Sequence, residues 1–119
     1  MCYTIIPTPR FEEDIKYYIQ KKKFTKIDDD LDPVILELEK GNLLGDTIND
    51  IKISSPYHTY KVRVANSNTN VGKSNGYRLI YYVVKDEKEI YLLTVYYKKE
   101  DKDIPNKFEI ASIINQYCL

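Results

Sequence analysis

The sequence predicts an α+β domain, β-α-α-β-β-β-α in chain order, with a helical hairpin packed on one face of a mainly antiparallel sheet. Three observations carry that prediction. Two successive segments repeat their apolar residues at helical spacing: Phe11, Ile15, Tyr18 and Ile19, then Leu31, Val34, Ile35 and Leu38. Three β-type segments follow between Tyr57 and Lys98, joined by turn-forming residues rather than helices, as antiparallel neighbours are. A final stripe, Ile110, Ile113, Ile114 and Tyr117, returns to the helical period.

In chain order, CYTII (2–6) is a short β-prone run stopped by Pro7 and Pro9. Thr8 or Pro9 opens the first helix, whose early acids Glu12, Glu13 and Asp14 suit the positive end of its dipole. Lys21, Lys22 and Lys23 suit its negative end. Asp30 or Asp32 caps the second helix, Pro33 fits its first turn, and Gly41 stops it. The acids at 28–32 lack the glycine and terminal glutamate of a calcium loop, so they read as caps and solvated charges. Residues 42–56 form a polar connection with a short extended piece near Ile51 to Ile53. Strands are expected over Tyr57–Asn66 and Gly76–Val84 and in IYLLTVYYK, the last apolar enough to be buried on both faces.

The 119 residues suffice for one domain, 1–119, burying roughly two-thirds of its unfolded surface. No apolar run approaches the ~20 residues that span a bilayer, and MCYTIIPTPRFEED lacks a signal peptide's basic and apolar regions. A cytoplasmic location without membrane contact is the expectation. Cys2 and Cys118 lie near the two ends with one histidine between them, so reduced thiols are expected and no metal or cofactor.

Basic and acidic residues balance at 18 each, which argues against indiscriminate nucleic-acid binding. Their distribution is uneven. Residues 1–56 carry 8 basic and 11 acidic groups, and residues 57–119 carry 10 and 7, so the molecule reads as a dipole. Tyr57 to Lys85 holds Lys61, Arg63, Lys73, Arg78 and Lys85 without one Asp or Glu. Strand alternation puts Lys61 and Arg63 on one face and Tyr60, Val62 and Val64 on the other. Antiparallel pairing then returns Arg78 beside them, which makes a rigid cationic platform for phosphate.

YKVRVAN, followed by GKSNGYRLIYYVVKDEKEIYLLTVYYKKEDKDI, resembles the core of the RelE/ParE superfamily of toxins from bacterial type II toxin–antitoxin systems, nearest its RelE/HigB branch. The resemblance implies a RelE-like fold and an mRNA interferase, an endoribonuclease that cleaves messenger RNA on the ribosome, inhibits translation and is neutralised by a cognate antitoxin. It also implies metal-free chemistry carried by basic strand residues: Lys61, Arg63, Arg78 and Lys98 fall on the family's catalytic positions. Such cleavage needs a proton acceptor at the ribose 2′-hydroxyl, cations against the phosphate and a donor for the leaving oxygen. Arg78 suits the phosphate, since guanidinium is a fixed fork. Lys61, crowded by cations, suits the acceptor, and Lys98 the donor or a second phosphate contact. Lys73, in GKSNG, suits the RNA backbone.

The tyrosine that many relatives carry just beyond the last strand is missing from KEDKDIPNK. Tyr96 or Tyr97 is the replacement by position, for base stacking or a phosphate hydrogen bond, and Tyr82 shares parity with Arg78. These three and Lys73 form the expected RNA-binding set. His58 falls on the opposite face from Lys61 by the same alternation. The competing readings are a ParE-like toxin that binds DNA gyrase without RNA chemistry and a non-catalytic RNA- or partner-binding domain.

Overall fold

A computed structural model describes residues 2–99 and 104–119. Its elements run β1 (Thr4–Pro7), α1 (Pro9–Gln20), α2 (Ile27–Glu39), β2 (Asp46–Ile48), β3 (His58–Val64), β4 (Tyr77–Val84), β5 (Glu89–Tyr97) and α3 (Lys107–Tyr117). A single 3-10 turn, Lys73–Asn75, interrupts the β3–β4 connection. The strands form one sheet in the order β1-β5-β4-β3-β2, parallel between β1 and β5 and antiparallel elsewhere. The expected KEDKDIP loop crosses residues 100–103, which lie outside the described residues.

Local chemistry explains the helix ends. Thr8 caps α1 by accepting from the Phe11 amide. Asn106 and Glu109 close a reciprocal capping box at α3. The second helix starts at Ile27, earlier than a cap at Asp30 or Asp32 allows, and Pro33 lies inside it. Its cap comes from elsewhere in the chain: Asn68, on the β3–β4 connection, accepts from the Lys26 amide at 2.8 Å. Asp30 meanwhile accepts from the amide and hydroxyl of Ser67, which ties that connection to the helix. The other end stops as expected, at Gly41 with φ of 92°.

The sheet is buried on both faces. The hairpin of α1 and α2 packs Phe11, Tyr18, Leu31 and Leu38 against Val62, Tyr77, Leu79 and Tyr81. On the opposite face Ile110, Ile113 and Ile114 of α3 pack against Ile80, Tyr82 and Leu93. Only the hairpin therefore follows the one-face arrangement, and α3 makes a third layer. The cause is β4, whose residues Tyr77–Val83 are buried in both alternations, so each face needs a cover. Each large apolar side chain enclosed this way contributes about 1.5–3 kcal/mol.

Two departures follow from backbone packing. A fifth strand, β2, pairs with β3 at Asp46–Ile48, where the sequence had suggested extension at Ile51 to Ile53. Gly45 permits it: its φ is 90°, and a β-carbon there would sit 2.2 Å from the Lys61 carbonyl oxygen. In β5 the register jumps, with Ile80 opposite Thr94 but Tyr81 opposite Leu92, so Leu93 is an extra residue in the strand. Beyond β1, the outer edge of β5 is met by α1. Asp14 accepts from the Val95 amide at 3.2 Å and from the Thr94 hydroxyl, and the Tyr18 hydroxyl accepts from the Tyr97 amide at 2.8 Å. A helix thus covers a sheet edge through its side chains.

Candidate nucleic-acid interface

The register of β3 and β4 brings the cations together. Arg63 lies directly opposite Arg78, Lys61 opposite Ile80, and Tyr96 of β5 opposite Arg78 on its other side. Side chains paired in this way share a face. Lys61, Arg63, Lys73, Arg78, Lys98 and Tyr96 line one cleft of about 800 Å³. Gly76 sets its depth: the residue approaches β3 so closely that a β-carbon would lie 2.1 Å from the Val64 carbonyl oxygen. That approach seats the turn carrying Lys73 over the end of the sheet.

Arg78 is 6 % exposed, unusual for an arginine, and its guanidinium is anchored. One terminal nitrogen, Nη1, donates to the Lys73 carbonyl at 3.0 Å and the Tyr77 carbonyl at 3.2 Å, while Nη2 donates to the Ser74 carbonyl at 2.9 Å. Of its five N–H donors, three are thereby engaged and two are left for a ligand. Burial, and then the neighbouring charge of Arg63, lowers its proton affinity below that of an ordinary arginine. Lys98 donates to the same Ser74 carbonyl at 3.2 Å, so two cations pin the turn between them. Lys61, Arg63, Lys73 and Lys98 are all exposed, and no ion pair holds any of them among the described residues.

The tyrosines divide. Tyr96 is in the cleft wall and 5 % exposed, and burial raises its hydroxyl pKa while the Arg78 charge lowers it. Tyr97 faces the other way: its ring stacks edge-on to Phe24 of the hairpin core, and its hydroxyl donates to Thr69. Tyr82 does share the Arg78 face, but it is buried beneath α3 with its hydroxyl bonded to Ser55. Neither Tyr82 nor Tyr97 reaches the cleft, which corrects two of the three expected RNA-binding tyrosines. The exposed His58 lies opposite Val83 on the hairpin face, away from Lys61. One residue went unnoticed in the sequence: Asp46, opposite Lys61 on β2, is the acid in the cleft wall among the described residues. Only the pairing of a three-residue strand brings it there, and no periodicity marks so short an element.

A concave surface with five cations, one of them a rigid fork, has the chemistry to hold phosphate, and the row along β3 and β4 suits consecutive phosphates of a single strand. No helix among the described residues is long and apolar enough to cross a membrane. No family model and no curated protein sequence matches the chain. Among solved structures it is similar to E. coli toxin RelE, an arginine-to-alanine double mutant in the free state, at 18% identity, with a TM-score of 0.54 and the full length of both chains covered. With three helices and a five-stranded sheet among the described residues and this end-to-end match, the chain has the RelE-like fold.

Proposed function

We propose that this protein is the toxin of a type II toxin–antitoxin system and acts as an mRNA interferase, cleaving messenger RNA on the ribosome without a metal. The observation that carries the proposal is the cleft itself. Arg63 and Arg78 oppose each other across two strands, Lys61, Lys73 and Lys98 surround them, and none of the four exposed cations has an ion-pair partner among the described residues. Uncompensated like charges on a stiff sheet are unfavourable until an anion sits between them, and the charge that develops on a phosphate in cleavage is such an anion.

In this reading Arg78 binds the scissile phosphate through its two unengaged donors, with the Lys73 and Ser74 carbonyls holding the guanidinium in place. Fixed donors need no reorganisation as charge builds. Arg63 neutralises the same phosphate from the facing strand. Lys61, one alternation further along that face, accepts the proton of the 2′-hydroxyl, and Lys98 donates to the leaving oxygen. Lys73 grips the neighbouring backbone, and Tyr96 supplies a hydrogen bond or a stacking surface. A cognate antitoxin neutralises the toxin by covering the cationic cleft with acidic side chains.

The test is brief expression of the protein in bacteria with transcript ends mapped across the genome. Cuts within coding sequences, absent with Arg78→Ala, are expected. Intact transcripts alongside a loss of DNA supercoiling would overturn the proposal in favour of a gyrase-directed toxin.

A further inference from the structure

Asn75 is followed by Gly76, and no other of the eight asparagines precedes a glycine. That pair is chemically labile. The amide nitrogen of the next residue can attack an asparagine side-chain carbonyl, and glycine leaves that nitrogen unshielded and the backbone free to bend. Asn75 is exposed on a 3-10 turn of three residues, and its side chain has no hydrogen bond among the described residues. A turn so short opens locally at little cost. Other asparagines are engaged: Asn42 donates to Glu37, Asn68 accepts from the Lys26 amide, Asn106 caps α3, and Asn66 is buried. Position 76 accepts only glycine, since a β-carbon there would lie 2.1 Å from the Val64 carbonyl oxygen. The labile pair is therefore built into the turn. The cleft cations grip this same turn. Arg78 and Lys98 both donate to the Ser74 carbonyl, one residue before Asn75, and the Lys98 amide donates to the Gly76 carbonyl at 3.0 Å.

We propose that Asn75–Gly76 is a self-modification site, where spontaneous deamidation sets a carboxylate among the cations of the cleft and closes it to RNA. The Gly76 nitrogen bonds to the side-chain carbonyl carbon of Asn75. The carbon–nitrogen bond of the side-chain amide breaks, and ammonia leaves with the proton that Gly76 gave up. Water then opens the cyclic imide at either carbonyl, which yields aspartate or isoaspartate. Both products carry a negative charge beside Arg78 and Lys98, where it competes with phosphate for the same donors. Isoaspartate also adds a methylene to the backbone next to Gly76, whose contact with Val64 has no slack. The effect on the cleft rests on the ribonuclease reading above, because the anion displaced is the RNA backbone; the modification itself does not.

Purified full chain, fresh and aged at mildly alkaline pH, tests this by peptide mass spectrometry at residue 75 and by anisotropy with a short single-stranded RNA. Asn75 should convert ahead of the other seven asparagines, and RNA binding should fall in step. Unaged Asn75→Asp should bind with a salt slope shallower by about 0.7, one neutralised phosphate fewer. Asn75→Gln, whose longer side chain forms a cyclic imide far more slowly, should age without losing binding. If Asn75→Asp does not fold, aged wild type separated by charge carries the same comparison. An Asn75 that stays intact while other asparagines convert refutes the site. Conversion with binding unchanged refutes its effect on the cleft. Fresh wild type that binds no RNA overturns the ribonuclease reading and the inhibition together, and the mass at residue 75 still decides the modification.

Discussion

At the scale of single residues, the tension sits at Arg78, which is buried, charged and directly opposite a second arginine. Like charges facing across strands destabilise by roughly 0.2–1 kcal/mol. Arg63→Ala should therefore raise the urea unfolding midpoint slightly while weakening RNA binding. A drop in both would show that Arg63 serves the fold instead. Arg78 differs because it is also structural. Arg78→Ala removes the donors from three carbonyls and should lower stability by about 1–3 kcal/mol. It should also abolish cleavage. Arg78→Lys separates the two roles, since it keeps the charge but loses the planar fork. Cleavage by Arg78→Lys at the wild-type rate would mean that only a positive charge is needed, and the role given to Arg78 would be wrong.

At the scale of elements, the pairing of α1 with β5 makes a prediction about pH. Burial raises the Asp14 carboxyl pKa, outweighing the Thr94, Arg10 and Val95 interactions that lower it. The folded chain thus keeps this proton to higher pH than the unfolded chain, whose aspartates titrate near ~3.9. The stability Asp14 contributes is fully present below that value and is lost as pH rises through the folded pKa. Asp14→Asn cannot titrate, so the stability of wild type relative to the variant should fall in urea unfolding as pH rises above about 3.9 and through the raised folded value. A difference that is flat or rises with pH would show the carboxylate is held ionised by its partners. The same region shows what can be read from sequence. Alternation in β3 was legible because one face is polar, and it placed Lys61 and Arg63 correctly. In β5 every residue from Leu92 to Tyr97 is buried, so nothing distinguished Tyr96 from Tyr97. The extra Leu93 erased even the parity count. An amphipathic stripe likewise announces a helix without saying which face of a sheet it covers, and α3 went unplaced for that reason.

At the scale of the whole molecule, a chain of zero net charge binds a polyanion only where its fold gathers cations in excess of acids, and here five cations share the cleft with Asp46. Five cations come from three places, β3, the turn before β4 and the β4–β5 pair, and only the sheet register makes them one surface. Two cations elsewhere already have acidic partners: Lys40 is 3.7 Å from Glu37 on α2, and Lys107 is 3.8 Å from Asp50. This separation predicts how binding responds to salt. Each phosphate neutralised on a single strand contributes about −0.7 to the slope of log affinity against log salt. Arg63→Ala with Lys73→Ala should therefore make the slope shallower by about 1.4 for a short single-stranded RNA titrated between roughly 50 and 200 mM salt. Lys40→Ala should leave it unchanged, because that charge already has a carboxylate beside it on another part of the surface. Fluorescence anisotropy with labelled RNA measures both slopes. An unchanged slope in the double variant would mean the backbone does not run through the cleft. An equal loss with Lys40→Ala would mean that binding follows overall charge and not the platform that the sheet assembles.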